Sequence, residues 1–174
     1  MGLRYTSDSD ISLHGFTNSD WAGSAKNRKS TSGGCFSLGS GMISWFSRKE
    51  TSIALSTTKE EYIAACSACS EGIWLRKMLA GLFDEEIDVT NILCDNQSCI
   101  KMTENPVFHD KSKHIEVRYH FIRDMVQKGA IKLKHVPTEE QVANVLTKPL
   151  ARVKFEYFRD TLGVVRKDLS RKRE

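Results

Sequence analysis

The pattern of hydrophobic and polar positions predicts strands and helices that alternate along the chain. Ile131, Leu133 and His135 alternate with two lysines, which is the period of a strand with one buried face. A Gly-Ser-Gly link at 39–41 favours a hairpin between two of the predicted strands. The segments with strand character are residues 13–17, 32–38, 42–46, 89–94 and 131–136.

Helical spacing is clearest after the third strand, where Tyr62, Cys66, Cys69 and Ile73 are separated by four, three and four residues. Hydroxyl side chains at 56–58 are suited to cap this helix, which we expect to run to about residue 80. Further helices are expected from Gln97, over 114–128, from Pro137 to about 147, and over 153–162. This order of elements predicts an α/β fold in which helices cover a mixed sheet.

Length and composition fit one compact domain. The chain has 174 residues, of which 40% are hydrophobic and 28% are charged. We expect the domain to span residues 14–163, after a flexible lead-in at 1–13 from a longer polypeptide and before a basic tail at 164–174. No apolar run approaches the roughly 18 residues that cross a bilayer, and the start of the chain lacks the apolar stretch of a signal peptide.

The cysteines indicate a reducing environment. There are five, an odd number, which argues against a closed set of disulfides and predicts a cytoplasmic or nuclear location. Cys66 and Cys69 form a CxxC pair, but no second pair accompanies them at zinc spacing. We interpret both as small buried residues on a helix.

Positive charge is concentrated in two segments. The formal net charge is +4, and residues 109–135 carry seven Lys or Arg against three acids. Residues 166–174 add five basic groups against two acidic ones. Such segments suit a polyanion such as nucleic acid, although a solvated surface has the same pattern.

Acidic and amide residues stand near the ends of the predicted strands. Asn18 and Asp20 follow the first strand and Asp95 follows the fourth. Glu61 lies near the start of the long helix, and Asn144 lies in the helix after the fifth strand. Because sites in open α/β sheets gather at the carboxyl ends of strands, we expect these positions to meet. Oxygen ligands in such a cluster suit Mg²⁺; the alternative is that each is an ordinary turn or capping residue.

Eight motifs follow one another along the chain: GFTNSDWAG (15–23), RKSTSG (28–33), ISWFSRK (43–49), ALSTTKEEYIA (54–64), CDNQS (94–98), NPVFH (105–109), KHIEVRYHFIRD (113–124) and PTEEQVANVLTKPL (137–150). In this order, over about residues 14–163, they resemble the ribonuclease H domain of copia-type retrotransposon Pol polyproteins. The resemblance implies an RNase H-like fold, with a mixed five-stranded sheet flanked by helices. It also implies hydrolysis of the RNA strand of RNA/DNA hybrids with two Mg²⁺ or Mn²⁺ ions.

The resemblance places the four metal-binding carboxylates of the family at positions 18, 61, 95 and 144. Glu61 and Asp95 keep the carboxylate, and they are the expected catalytic and metal-binding residues, whereas Asn18 and Asn144 are amides. An amide carries no charge, so half of the negative charge that offsets two divalent ions is lost. We therefore predict little or no nuclease activity. Asp20 is a possible substitute because residues i and i+2 of a strand face the same way; otherwise it is a turn residue.

Binding of nucleic acid is separable from cleavage. Thr57 and Thr58 resemble positions that reach RNA 2′-hydroxyls, unless they serve only as helix caps. Basic side chains suited to phosphates, or to a merely solvated helix face, are Lys111, Lys113, His114 and Arg118. Trp21, Trp45 and Trp74 lie within apolar patterns, so we expect them in the core rather than stacked on bases.

Three hypotheses about function follow. The first is a retrotransposon-derived RNase H-like domain that is catalytically impaired but retains nucleic-acid binding. The second is an active ribonuclease H that uses Asp20, Glu61 and Asp95. The third is a domesticated module that binds a protein partner and neither cuts nor binds hybrid.

Overall fold

The described part of the chain forms a five-stranded sheet with helices on both faces and a separate two-stranded ribbon. The computed structural model describes residues 1–6, 12–21, 29–50, 56–84, 86–104 and 113–165, with the backbone alone described for 113–119. The strands are β1 (Gly2–Leu3), β2 (Leu13–Asp20), β3 (Thr31–Leu38), β4 (Gly41–Lys49), β5 (Thr90–Cys94), β6 (Ile131–His135) and β7 (Val164–Val165). The helices are α1 (Thr57–Phe83), α2 (Gln97–Glu104), α3 (Lys113–Gln127), a 3-10 helix (Val142–Leu146) and α4 (Arg152–Thr161).

The sheet is mixed, as predicted. Its strand order is β4-β3-β2-β5-β6. Strands β2, β3 and β4 form an antiparallel meander, and β5 and β6 run parallel to β2. The carboxyl ends of β2, β5 and β6 therefore lie at one edge of the sheet, where the predicted site residues cluster.

Strand β2 is longer than its hydrophobic pattern predicts. Asn18 and Asp20 lie within the strand, because Asn18 pairs with Gly33 and Asp20 pairs with Thr31 across the antiparallel ladder. Gly33 has a second role, since a Cβ there would stand 2.7 Å from the Thr147 side chain and 2.9 Å from that of Leu146. The missing side chain at Gly33 lets the 3-10 helix approach the strand that carries Asn18.

Helix α1 covers one face of the sheet. The Ser56 hydroxyl accepts a hydrogen bond from the backbone N–H of Lys59, and the helix then runs for 27 residues. Its inner face contributes Cys66 and Cys69 to the larger core, which confirms their interpretation as buried helix residues. The smaller core lies on the other face, under the 3-10 helix and α4, and contains Cys35, Met42, Val142 and Phe158.

The helix predicted from Pro137 to about 147 is mostly absent, and only Val142–Leu146 is helical, in 3-10 form. Gln141 explains the difference. Its side chain is fully buried, and its Nε2 donates to the backbone carbonyls of Thr17, at 3.0 Å, and Leu93, at 3.2 Å. The same side chain accepts from the N–H of Ala143, so it caps the 3-10 helix while it bridges β2 and β5.

The prediction that the tryptophans lie in the core is wrong. Trp21, Trp45 and Trp74 are 42%, 59% and 56% exposed. Trp21 follows the end of β2, Trp45 lies on the edge strand β4, and Trp74 lies on the outer side of α1. Apolar periodicity does not distinguish the edge of a sheet from its centre, which explains Trp45, and it does not mark where a strand ends or which side of a long helix is covered, which explains Trp21 and Trp74.

Both ends of the described chain meet in a ribbon that the sequence did not predict. Gly2 and Leu3 pair antiparallel with Val165 and Val164. Within the predicted basic tail, residues 166–174 lie outside the described residues. No helix in the described ranges is both long and apolar enough to cross a membrane.

Candidate metal and nucleic-acid site

A cavity of about 370 Å³ opens at the edge of the sheet where β2 and β5 end and α1 begins. Its lining residues are Ser19, Asp20, Trp21, Thr57, Glu61, Asp95 and Asn96. We call Glu61 and Asp95 the carboxylate half of the site, and Asn18 and Asn144 the amide half. Each half has its own hydrogen-bond environment.

Glu61 is the buried acid of the carboxylate half. It is only 7% exposed, and its Oε1 accepts a hydrogen bond from the backbone N–H of Ser19 at 3.1 Å. Its Oε2 is buried and has no hydrogen-bond partner among the described residues. Burial raises the pKa of Glu61 to about 9, and the nearby Cys94 and Asp95 add to this shift. At neutral pH the carboxyl is therefore protonated unless a cation binds.

Asp95 and Cys94 complete the surroundings of Glu61. The ligand atoms of Glu61, Cys94 and Asp95 all lie within 4.8 Å of one another. One carboxylate oxygen of Asp95 accepts a hydrogen bond from the Thr138 hydroxyl at 2.9 Å. A hydrogen bond from the Cys99 thiol lowers the pKa of the Cys94 thiol, and the backbone N–H of Asn96 also points at the Cys94 sulfur, 3.5 Å away.

In the amide half, the two asparagines bond to each other. Asn18 Nδ2 donates to Asn144 Oδ1 at 3.1 Å and to the Thr147 hydroxyl at 2.7 Å. Asn144 Nδ2 in turn donates to the backbone carbonyl of Thr138 at 3.1 Å. The two side chains are 2% and 0% exposed. Residues 126 positions apart in the chain thus form a buried and neutral amide pair.

Thr138 joins the two halves. Its backbone carbonyl accepts a hydrogen bond from the Asn144 side chain, and its hydroxyl donates one to Asp95. Ser19, which follows Asn18 in the chain, donates a hydrogen bond from its backbone N–H to Glu61. All four predicted positions are thereby brought to one edge of the sheet.

Of the other predicted site residues, some line the cavity and others do not or lie outside the described side chains. Asp20 and Thr57 line the cavity, whereas Thr58 is partly buried and does not. Lys111 lies outside the described residues, and Lys113, His114 and Arg118 belong to the part of α3 whose side chains are not described.

Several residues at the site were not singled out from the sequence. Cys94, Thr138, Gln141, Thr147 and Lys148 all contact or influence it. Lys148 is close enough to Glu61 to oppose the rise in its pKa. The only sequence signal for these residues was their position inside the CDNQS and PTEEQVANVLTKPL motifs.

The donor set fits one divalent cation and does not fit two. Glu61 offers a buried oxygen that has no hydrogen-bond partner within the described ranges, beside Asp95. In the amide half, by contrast, Nδ2 of Asn18 is directed at the Oδ1 of Asn144, which would otherwise be available to a cation. Without charge at those two positions, the residues present do not support the two-ion centre that the sequence resemblance implied.

Comparisons with known proteins agree with the fold. No protein-family model matches the chain. It is 43% identical over 158 residues to the retrovirus-related Pol polyprotein from transposon TNT 1-94 of Nicotiana tabacum, which covers 90% of this chain and 12% of the polyprotein. It is 39% identical over 165 residues to that from transposon RE2 of Arabidopsis thaliana, with 95% and 11% covered. The chain thus spans only about an eighth or less of the length of these two polyproteins.

Among solved structures, LC11-RNase H1 in complex with RNA/DNA hybrid superposes with a TM-score of 0.54. The match covers 78% of this chain and 93% of that one, at 14% identity. The fold and the cluster at its sheet edge define an RNase H-like domain. More particularly, the homologues of this chain are copia-type Pol polyproteins from plant transposons, which match it over most of its length at about 40% identity.

Proposed function

We propose that this chain is a retrotransposon-derived RNase H-like domain that holds RNA/DNA hybrid with little or no cleavage. The observation that carries the proposal is the hydrogen-bonded pair of Asn18 and Asn144. In the family's reaction, bound divalent cations activate water and stabilise the leaving oxygen. Residues that hold each other by neutral amides, away from solvent, are poor ligands for such ions.

The surroundings of the pair support retention of the substrate groove. The cavity remains open beside it, with the exposed Thr57 at its rim and Glu61 and Asp95 in its wall. Lys148 places a positive charge near the carboxylates, where a phosphate would approach. Replacement of two carboxylates by amides also removes repulsion toward phosphate. Binding should therefore be sensitive to salt and should survive the loss of cleavage.

The decisive comparison is between the chain and its Asn18→Asp/Asn144→Asp variant, assayed on a labelled RNA/DNA hybrid with Mg²⁺ and with Mn²⁺. We expect the variant to cut at least about 10²-fold faster, because each restored carboxylate supplies charge at the reacting centre. Glu61→Gln added to the restored variant is the control, and it should abolish the gained cleavage. Equal cleavage by the parent chain and the restored variant would refute the proposal.

Hybrid binding is measured separately, by fluorescence anisotropy without divalent ions and at two salt concentrations. The parent chain should bind, more weakly at higher salt. If it neither binds nor cuts, the protein-interaction hypothesis takes the place of this proposal.

An active ribonuclease H that uses Asp20 is the second candidate. It is favoured by one observation, that Asp20 lines the same cavity as Glu61 and Asp95. Among the described residues, however, the group with mutually close ligand atoms contains Glu61, Cys94 and Asp95 and not Asp20. Cleavage by the parent chain that disappears in Asp20→Asn, with hybrid binding intact, would establish this second candidate.

A further inference from the structure

We propose that Glu61, Cys94 and Asp95 form a site for one thiophilic divalent cation, of the class of Zn²⁺, Co²⁺ and Cd²⁺, in preference to Mg²⁺. The site shares two carboxylates with the ancestral metal centre, but its third ligand is a sulfur atom. The proposal goes beyond hybrid binding and does not depend on it.

The first support is the composition and spacing of the donor set. Two carboxylates and one thiol place their ligand atoms within 4.8 Å of one another, which is compatible with binding around a single ion. Zn²⁺ accepts oxygen and sulfur ligands together and is satisfied by three protein ligands and a water molecule. Mg²⁺ takes oxygen ligands in octahedral geometry and gains little from a thiol.

The second support is the environment of the Cys94 sulfur. The N–H of Asn96 points at it from 3.5 Å, and the Cys99 thiol also hydrogen-bonds to it. As a thiol, Cys94 also lies 3.8 Å from the carbonyl of Asn96, to which it donates. Once a cation replaces that proton, the sulfur keeps two donors directed at it, as outer groups do around metal-bound ligands.

The third support is the second carboxyl oxygen of Glu61, which can still bind a cation. Its Oε2 is buried without a partner among the described atoms, while Oε1 is held by Ser19. Asp95 is oriented by the Thr138 hydroxyl and faces the cavity, which gives an ion a path from solvent. One cation would satisfy the buried oxygen, and ionisation of Cys94 and Glu61 would release protons to the buffer.

The substitutions elsewhere in the site give the sulfur its importance. Four carboxylates would favour hard ions through charge alone. With Asn18 and Asn144 bonded to each other, two carboxylates remain as ligands. The Cys94 thiol then supplies one of only three ligand atoms and contributes to the choice of ion. The preference for thiophilic ions is thus a property of this chain and its amide pair.

The test is titration of the whole chain with Cd²⁺, followed by the ultraviolet absorption that arises only from cadmium bound to thiolate. We expect one Cd²⁺ per chain, retained against a large excess of Mg²⁺. Cys94→Ser should lose the absorption and weaken binding by at least about 10- to 100-fold, the loss that mutation of an outer-shell partner alone causes. Cys35→Ser is the matched control, since Cys35 is an equally buried thiol in the core on the other face of the sheet.

Two results would overturn the proposal. One is absorption that persists in Cys94→Ser, because another thiol would then bind the ion. The other is displacement of Cd²⁺ by equimolar Mg²⁺. If Cys94→Ser does not fold by circular dichroism, Glu61→Gln serves instead, because it leaves every sulfur in place. It should weaken Cd²⁺ binding, and unchanged affinity would refute the proposal. These readouts involve no nucleic acid, so they stand apart from any failure of hybrid binding.

Discussion

The amide half and the carboxylate half of the site lie at the same edge of one sheet, yet their buried polar side chains differ in hydrogen bonding and in pKa. In the amide half, the Nδ2 groups of Asn18 and Asn144 both donate, and no charge is buried. In the carboxylate half, Glu61 keeps a buried oxygen without a partner in the described chain, and its pKa is raised to about 9. The difference shows two ways to accommodate buried polar groups at one sheet edge: the two amides bond to each other, whereas the carboxyl of Glu61 takes up a proton because burial disfavours its charged form.

The largest effect on the difference between the two halves is expected when Asn18 and Asn144 are both replaced by aspartate. In metal-free buffer, Asn18→Asp/Asn144→Asp places two carboxyl groups where a buried neutral pair now stands. We expect the free energy of unfolding to fall by about 3–5 kcal/mol, and Mg²⁺ or Mn²⁺ to recover part of it. Urea denaturation with EDTA and with added cation measures both quantities.

The control for that experiment is Gln97→Glu, at an exposed position in the first turn of α2. It adds an acid near the site without burial and should change stability by less than about 0.5 kcal/mol. If the restored double variant were as stable as the parent in EDTA, the amide pair would have no structural role.

The next effect concerns Glu61. Its folded pKa of about 9 exceeds the ordinary value of 4.5, so its contribution to stability is complete below pH 4.5 and is lost as the pH rises toward 9. Glu61→Gln should therefore stabilise the metal-free protein near pH 8, by about 1–3 kcal/mol, and flatten its pH dependence. Thermal melts in EDTA from pH 5 to pH 9 measure this change. A melting temperature that changes by the same amount at every pH would contradict the assignment of the raised pKa to Glu61.

A smaller loss is expected in the amide half from Thr147→Val. The Thr147 hydroxyl accepts from Asn18, so its removal leaves a buried donor with one acceptor fewer. We expect a loss of about 1–2 kcal/mol that is the same with and without divalent cations. Chemical denaturation under both conditions is the measurement, and a dependence on cation would show that the halves are not separate.

The smallest effect is expected from Thr138→Val, which removes the hydroxyl that donates to Asp95 and leaves the carbonyl that accepts from Asn144. The loss of stability should be about 0.5–1 kcal/mol, because Asp95 can turn toward water in the cavity. Unlike Thr147→Val, this variant should weaken cation binding, as measured by calorimetric titration. Unchanged cation affinity would mean that Thr138 does not orient Asp95.

Much of the fold followed from the sequence because its signals are local. The periodicity of α1 and the alternation in β6 each identify an element without knowledge of its neighbours. The end of β2 was missed because Asn18 and Asp20 are held in the strand by Gly33 and Thr31, which are distant in sequence. The exposed tryptophans were missed for a related reason, since exposure depends on the position of a strand or helix in the whole domain.

The positions of the candidate site could be predicted from the sequence, but the hydrogen bonds among them could not. Motif resemblance brought Asn18, Glu61, Asp95 and Asn144 together, and the structure places all four at one sheet edge. Nothing in the sequence indicates that the amides of Asn18 and Asn144 bond to each other. The sequence also does not indicate the role of Thr138 as a link, because hydroxyl groups in turns have many ordinary uses.

A double-mutant cycle measures whether Asn18 and Asn144 act as a bonded pair. Asn18→Ala, Asn144→Ala and the double variant are compared by urea denaturation in EDTA. We predict a coupling of about 1–2 kcal/mol, since the first substitution already removes what the second would lose. Effects that add to within about 0.3 kcal/mol would contradict the claim.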